Sequence, residues 1–301
     1  MKKKILITGG AGYIGSKLVT KLLSAGNIVT VVDVLKFSSK SLNHVFSHKN
    51  FYFIKGDVRQ KKLMKKLINK NEFIIPLAAL VGAPLCEKNK KEAIQVNLDS
   101  IKHLTELIKK KKKKIIYLTT NSGYGIGAKN KYCDENSPLN PISLYGRTKV
   151  QAEKFVMSYK NSIGFRLATV FGYSYRMRTD LLVNNFVYRS LHDKKLVLFE
   201  PHFRRNYIHI EDVVDAIIYS IKNFNKLKSQ VYNLGLSSAN LTKYMLAKKI
   251  KKKLKFLKIK IVHNKKDPDQ RDYYVSNKKI EKKGFKAKVS IEKGISELVK
   301  V

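Results

Sequence analysis

Two residues one helical turn apart carry the strongest chemical signal in this 301-residue chain. In Tyr145-Gly146-Arg147-Thr148-Lys149, a tyrosine and a lysine stand at positions i and i+4, which share one face of a helix. An ammonium beside a phenol favours phenolate and lowers the tyrosine pKa from about 10 towards the working pH. Such a tyrosine can take the proton from a hydroxyl while hydride leaves the same carbon. Taken alone, the pair is common surface decoration. Its context changes that, because Thr119-Thr120-Asn121-Ser122-Gly123-Tyr124-Gly125 ends a β-rich run. The carboxyl end of a strand is where an open α/β sheet presents ligands, which sets the Thr120 hydroxyl beside the reacting group.

A hydride needs an acceptor, and the first residues offer a place for one. Gly9-Gly10-Ala11-Gly12-Tyr13-Ile14-Gly15 joins an apolar run to a helical one. Gly9 makes a tight turn, Gly12 lets backbone N–H groups approach a pyrophosphate, and Gly15 lets the helix pack close to the sheet. Asp33 ends the second apolar run about 20 residues on, where a carboxylate accepts hydrogen bonds from an adenosine ribose. The other reading of Asp33 is a strand-end turn residue. A carboxylate there repels a 2′-phosphate, so NAD is expected rather than NADP. Gly56-Asp57-Val58 closes the third run, and Asp57 either reaches the adenine amino group or caps the next helix.

The elements that must position these groups follow from the hydrophobic period. Lys4–Thr8, Ile28–Asp33, Phe51–Lys55, Phe73–Pro76, Ile115–Thr119 and Ser162–Ala168 are short, apolar and rich in β-branched or aromatic residues. Strands buried on both faces have this character. Between them, Tyr13–Ser24, Arg59–Ile68, Glu87–Lys110 and Ser143–Tyr159 are helical candidates. The alternation predicts right-handed crossovers onto a parallel sheet. The expected fold class is therefore α/β, a Rossmann-type doubly wound parallel sheet over residues 1–170. Residues 171–301 predict a smaller mixed α/β part, with some chain returning to the first domain near 206–236. There an arginine-bearing loop, Gly172–Thr179, leads to a helix near Asp180–His192.

Composition bounds the partners. Sixty-two Lys and Arg against 22 Asp and Glu give a net charge of +40, and 44% of the chain is apolar, enough for a core. The lysines are spread over nearly every helical stretch, densest at Lys109–Lys114 and Lys248–Lys253, without interleaved aromatics. They read as solvated faces that also attract anionic ligands, not as a nucleic-acid site. No apolar run approaches the ~20 residues of a membrane span, so no membrane partner is expected. Met1-Lys2-Lys3-Lys4 runs straight into Ile5-Leu6-Ile7-Thr8-Gly9, unlike a secretory leader. Two cysteines, Cys86 and Cys133, form no CxxC pair, so neither a zinc site nor a disulfide scaffold is expected, and a reducing cytoplasm is the default.

Together the motifs resemble the extended short-chain dehydrogenases/reductases of the NAD-dependent epimerase/dehydratase family over essentially the whole chain. Thr8–Gly15, Asp33, Asp57, Leu77-Ala78-Ala79, Asn97, Thr119–Gly125, Tyr145–Lys149, Arg166–Gly172, Arg205–Asp212 and Arg271 fall in family order. The resemblance implies that Lys149 also holds the nicotinamide ribose. It implies cofactor contacts from Tyr13, Ile14, Val58, Leu77, Ala78, Ala79 and Asn97. Thr120 and Tyr145 would bind the hydroxyl being oxidised, with Asn121 and Ser122 close to the sugar. Asn184 matches an asparagine near the diphosphate of a nucleotide sugar. Arg205 and Arg271 match arginines that grip it, although each is otherwise a solvated surface charge.

Departures from the family narrow the chemistry. Sugar 4,6-dehydratases carry Asp-Glu directly after the catalytic threonine, whereas this chain has Asn121 and Ser122, neither an acid nor a base at neutral pH. Thr169-Val170-Phe171-Gly172-Tyr173 replaces the usual Asn-Val-Tyr-Gly-Pro, and Pro76 replaces a histidine before Leu-Ala-Ala. Ile75–Pro84, Thr120–Gly127, Arg176-Met177-Arg178 and His202–Tyr207 are similar to the GDP-heptose 4-dehydrogenases of surface-polysaccharide synthesis. That resemblance implies oxidation at carbon 4 of GDP-D-glycero-α-D-manno-heptose. A redox-neutral 4-epimerase is the alternative, and a non-catalytic dinucleotide-binding scaffold or a nucleic-acid binder is more distant. The family also implies a homodimer through paired helices. Ile94, Ile101, Leu104 and Ile108, with Ala152, Phe155 and Val156, would form that contact or else pack on the chain's own sheet.

Overall fold

A computed structural model describes residues 2–128, 131–262 and 271–301. Strands β1 (Lys4–Thr8), β2 (Ile28–Asp33), β3 (Phe51–Lys55), β4 (Phe73–Pro76) and β5 (Lys114–Thr120) come first. They alternate with helices α1 (Tyr13–Ser24), α2 (Lys61–Lys70), α3 (Ala83–Lys88), α4 (Lys90–Ile94) and α5 (Ser100–Lys110). Strand β6 (Tyr132–Cys133) precedes α6 (Leu144–Met157), β7 (Ser162–Leu167) and β8 (Thr169–Phe171). Then follow α7 (Leu182–His192), β9 (Lys195–Phe199), β10 (Arg204–His209), α8 (Ile210–Lys222), α9 (Phe224–Leu227) and β11 (Gln230–Leu234). The last elements are β12 (Asn240–Thr242), α10 (Lys243–Lys253), β13 (Lys258–Val262), β14 (Tyr274–Val275), α11 (Lys278–Lys282) and α12 (Ile291–Leu298).

Seven strands form one parallel sheet in the order β11-β7-β5-β4-β1-β2-β3. From β1 the chain builds outward to β3, then returns to β4 and builds the other way. The order therefore reverses between β1 and β4, and a crevice opens beyond their carboxyl ends. On one face, Leu18, Val19 and Leu22 of α1 and Val213, Val214 and Ile217 of α8 join Ile5, Ile7 and Val31 in one core. On the other face, Met64 and Ile68 of α2, Ile101 and Ile108 of α5 and Ala152 and Val156 of α6 cover Leu6, Ile74 and Ile115.

The structure departs from the expected elements in three informative places. The single helix expected over Glu87–Lys110 is broken at Asn89 and contains a π-helical stretch over Gln95–Asp99. That wider turn carries Asn97, whose amide reaches Leu80 N–H and C=O, both at 2.9 Å. The strand expected over Ser162–Ala168 leaves the main sheet after Leu167, and β8 continues into a smaller sheet of order β12-β10-β8. Of the residues expected to return near 206–236, β11 pairs with β7 in the main sheet, whereas β10 stays in the smaller one. Most of the residues considered for a dimer contact also lie inside: Ile101, Leu104, Ile108, Ala152 and Val156 are buried against this chain's own sheet. Ile94 (39% exposed) and Phe155 (44%) remain outside, the latter under the Lys102 ammonium at 4.7 Å. No helix among the described residues is long and apolar enough to cross a membrane.

Candidate active site

The glycine turn between β1 and α1 is shaped by what touches it. Gly9 has φ +70°, and a Cβ there would lie 2.5 Å from the Ala78 nitrogen. A Cβ on Gly15 would lie 2.5 Å from the Gly9 carbonyl. These two glycines thus seal the turn against the loop after β4 and against itself. Gly12 differs, since its Cβ would meet only the Gly9 carbonyl, at 3.0 Å. Helix α1 has no acidic residue in its first turn, and the N–H groups of Tyr13 and Ile14 have no preceding turn to bond. An open glycine beside unspent helix-start N–H groups fits a pyrophosphate.

The flanking groups complete a dinucleotide cleft. Asp33 accepts from Ala11 N–H (3.0 Å) and Leu35 N–H (2.8 Å), which fastens the β2 terminus to the turn. Each of its oxygens keeps acceptor capacity for a ribose hydroxyl. Leu77 N–H bonds the Thr8 carbonyl (2.9 Å) and Ala78 N–H the Thr8 hydroxyl (3.2 Å), laying residues 77–79 along β1. Asp57 does not cap α2, whose start at Gln60 has no side-chain cap; its carboxylate instead accepts from Arg59 N–H at 2.8 Å, in the turn before the helix, and from the Arg59 guanidinium. The Arg59 hydrogen bonds hold its carboxyl below the usual range. Val58 packs against Leu80 and Val96.

Several expected ligand contacts are spent within the protein. The Tyr13 hydroxyl donates to the Gly172 carbonyl (2.6 Å), and Ile14 packs into the core, so only their N–H groups face the cleft. Asn184 accepts from Gly172 N–H (3.0 Å) and donates to the Arg178 carbonyl (2.9 Å) and the Tyr13 hydroxyl (3.3 Å). Both of its N–H groups are thereby used, and it braces the 172–184 loop where a diphosphate contact was expected. Asn97 likewise acts on Leu80, with no donor left over for a cofactor.

Helix α6 delivers the acid–base pair. Ser143 caps it, accepting from Gly146 N–H at 3.1 Å, and one turn separates Tyr145 from Lys149. Buried Lys149 lies 4.2 Å from the centre of the Tyr117 ring, whose face attracts the ammonium. Burial nevertheless lowers its pKa to about 7, against the pull of Glu153. Glu153 is held by Arg166 at 2.7 Å in an ion pair buried on both sides, which ties α6 to β7. Burial also pushes the Tyr145 phenol up to about 12, opposed by the charges of Arg178 and Arg271 and by the Thr120 side chain. The expectation that a neighbouring ammonium dominates Tyr145 is thus corrected, because loss of water outweighs it and the cations drawing the phenol down are arginines.

The end of β5 meets Tyr145 from the opposite side. Thr120 donates to the Ser122 hydroxyl at 2.9 Å and accepts from Ser122 N–H at 3.0 Å. The Arg271 guanidinium also donates to Ser122. Asn121 is buried, and among the described residues neither atom of its amide has a partner. Arg204 grips Asp272 through its Nε (2.8 Å) and Nη2 (2.9 Å), bringing the 271–275 segment beside β10. Arg205 is accordingly buried, over the Tyr273 ring at 5.7 Å, and is not a solvated surface charge. Tyr117 and Glu153 were not singled out for the site by sequence, whereas Arg178 stood in the Arg176-Met177-Arg178 stretch that carried part of the resemblance. Tyr117 and Glu153 fell only within the strand expected at Ile115–Thr119 and the helix expected at Ser143–Tyr159.

The NAD dependent epimerase/dehydratase family matches residues 5–235. A dTDP-D-glucose 4,6-dehydratase of Dictyostelium discoideum is 30% identical over 272 residues, 82% of this chain but 61% of that protein's length. A UDP-glucose 4-epimerase of Lactobacillus helveticus is 29% identical over 273 residues, 82% of this chain and 81% of that one. The structure is similar to that of the dTDP-glucose 4,6-dehydratase from Bacillus anthracis in complex with NAD, with a TM-score of 0.85 and 25% identity. That match covers 98% of this chain and 95% of the other. The chain belongs to the NAD dependent epimerase/dehydratase family: it is an NAD-dependent enzyme, and the relatives it matches act on nucleotide sugars.

Proposed function

We propose that this enzyme oxidises carbon 4 of a nucleotide-activated sugar to a 4-keto sugar in the cytoplasm, for surface-polysaccharide synthesis. The substrate is GDP-D-glycero-α-D-manno-heptose, on the strength of the loop resemblances at residues 75–84, 120–127, 176–178 and 202–207. The reading of the reaction type rests on Tyr145 and Lys149 one turn apart on α6, which packs against β5 with Thr120 at its end, in a chain whose β1–α1 turn suits a pyrophosphate. The hydride leaving carbon 4 would go to bound NAD, the only chemistry asked of the cofactor. Tyr145 takes the hydroxyl proton, Thr120 hydrogen-bonds the same oxygen, and Lys149 holds the cofactor ribose. Arg205 and Arg271 meet the diphosphate. The Asn121 amide, buried with neither atom paired among the described residues, suits a sugar hydroxyl, which both donates and accepts.

Asn121 and Ser122 supply no acid–base pair to expel water, so the keto sugar leaves undehydrated. Incubation of enzyme with GDP-heptose and NAD tests this reading. Accumulating NADH and a released 4-keto product support oxidation. A redox-neutral isomer replaces it with 4-epimerisation, in which hydride returns to the other sugar face. Undiminished biological function in Tyr145→Phe reduces the protein to a dinucleotide-binding scaffold. A homodimer through the ridge of Ile94 and Phe155 completes the proposal, and equilibrium sedimentation of Phe155→Lys tests it.

A further inference from the structure

Lys149 is an ammonium buried without an anion against it. The residue is 6% exposed, and among the described residues its Nζ has neither a hydrogen bond nor an ion pair. Its charge meets instead the face of the Tyr117 ring, whose centre lies 4.2 Å away. Tyr117 is wholly buried on β5, in the core that Ala152 and Val156 of α6 also enter, so packing fixes the ring in place. The Tyr117 hydroxyl has no partner among the described residues. A buried O–H that bonds nothing is a cost, so what this residue offers its surroundings is the ring and not the hydroxyl.

We infer that Tyr117 is the positioning residue for Lys149: its ring face seats the ammonium over β5 and leaves the N–H groups to the cofactor ribose. The inference rests on the proposed role of Lys149. A carboxylate in the same place would claim N–H groups and hold the lysine to itself, whereas a ring face attracts the charge and offers no lone pair to bond. The seat also sets register. Tyr117 stands three residues before Thr120 on β5, and Lys149 four after Tyr145 on α6, so one contact aligns the strand end with the helix turn. The other groups around Lys149 do not replace the ring. Glu153, one turn further along α6, is held by Arg166 of β7 at 2.7 Å. Cys86 of α3 and Tyr145 are neutral, burial raising the thiol to about 11 and the phenol to about 12. Burial also draws the Lys149 ammonium down to about 7, so a modest attraction decides whether it is charged at neutral pH.

The test reads Lys149 without substrate or turnover, so it stands apart from whether GDP-heptose is oxidised. Melting temperature is followed between about pH 5 and pH 9 for wild type, for Tyr117→Phe and for a chain with ring-fluorinated phenylalanine at position 117. Each curve is taken as the difference from its own Lys149→Met counterpart. Fluorination keeps the shape of the ring and removes the negative character of its face. Stability from a lysine whose pKa is lowered rises with pH once the folded chain begins to release the proton. Tyr117→Phe should rise over the same pH range as wild type, since the ring face is kept. With the fluorinated ring the rise should begin about one pH unit lower, a roughly tenfold weaker hold on the proton. Equal titration of the two phenylalanine rings overturns the inference. So does a Tyr117→Phe curve displaced by that unit from wild type, which would give the role to the hydroxyl.

Discussion

The two halves of the cleft are built in opposite ways. The cofactor half is local: Gly9, Gly12 and Gly15 lie within seven residues, and two partners, Asp33 and Ala78, close it. The acid–base half is assembled from distant segments, with Tyr145 and Lys149 on α6, Thr120 and Ser122 after β5, Arg178 in a loop and Arg271 beside β10. A local site is held by backbone geometry and tolerates little change in its own residues. A distributed site is held by packing, so residues that never touch a ligand govern it.

The largest expected effect tests that last point. Glu153→Ala leaves the buried Arg166 charge uncompensated and should cost about 3–5 kcal/mol of stability, seen as a lower denaturant midpoint. An unchanged midpoint would mean that α6 is positioned without this pair. Tyr145→Phe should lower turnover at least about a hundredfold while leaving the melting temperature alone, the opposite division of effects.

The cofactor half should respond to glycine replacement site by site. Gly9→Ala forces an alanine to φ +70° against the Ala78 nitrogen and should destabilise the fold by about 1–3 kcal/mol. Gly12→Ala, which meets only one carbonyl, should fold almost normally yet bind NAD weakly, as calorimetry would show. If both variants fold and bind alike, the turn is not divided as described. Asp33→Ala should weaken NAD binding more than NADP binding, a smaller effect that competition assays resolve.

The subtlest effect concerns Lys149. Its pKa in the fold is lowered to about 7, so between there and the ordinary lysine value the unfolded chain holds a proton that the folded chain lacks. Stability from this residue therefore rises with pH above about 7 and is lowest below it. Relative to Lys149→Met, wild type without cofactor should gain melting temperature from pH 6 to pH 9. A difference that does not move with pH would mean that Lys149 keeps its charge in the fold.

Much of this was legible in one dimension. Strands β1 to β4 have the bounds their apolar runs predict, because strands buried on both faces leave a continuous hydrophobic signature. The Tyr-x-x-x-Lys spacing and the glycine turn are likewise local geometry, fixed by 3.6 residues per turn and by φ. The break in the helix expected at Glu87–Lys110 was not legible, since the π-helical stretch follows from Asn97 reaching Leu80 across the fold. Nor was the diversion of Asn184 and the Tyr13 hydroxyl into a bracing network around Gly172.

By itself, the sequence determined which groups can donate, accept or carry charge, and the elements that carry them. Tertiary structure alone decided how strongly each group is charged and which partners it meets. Burial raises the Tyr145 phenol and lowers the Lys149 ammonium by removing water, and Thr120 bonds a serine that an arginine 149 residues further on also reaches. Desolvation and hydrogen-bond polarity are properties of neighbours in space, and no spacing along the chain encodes them.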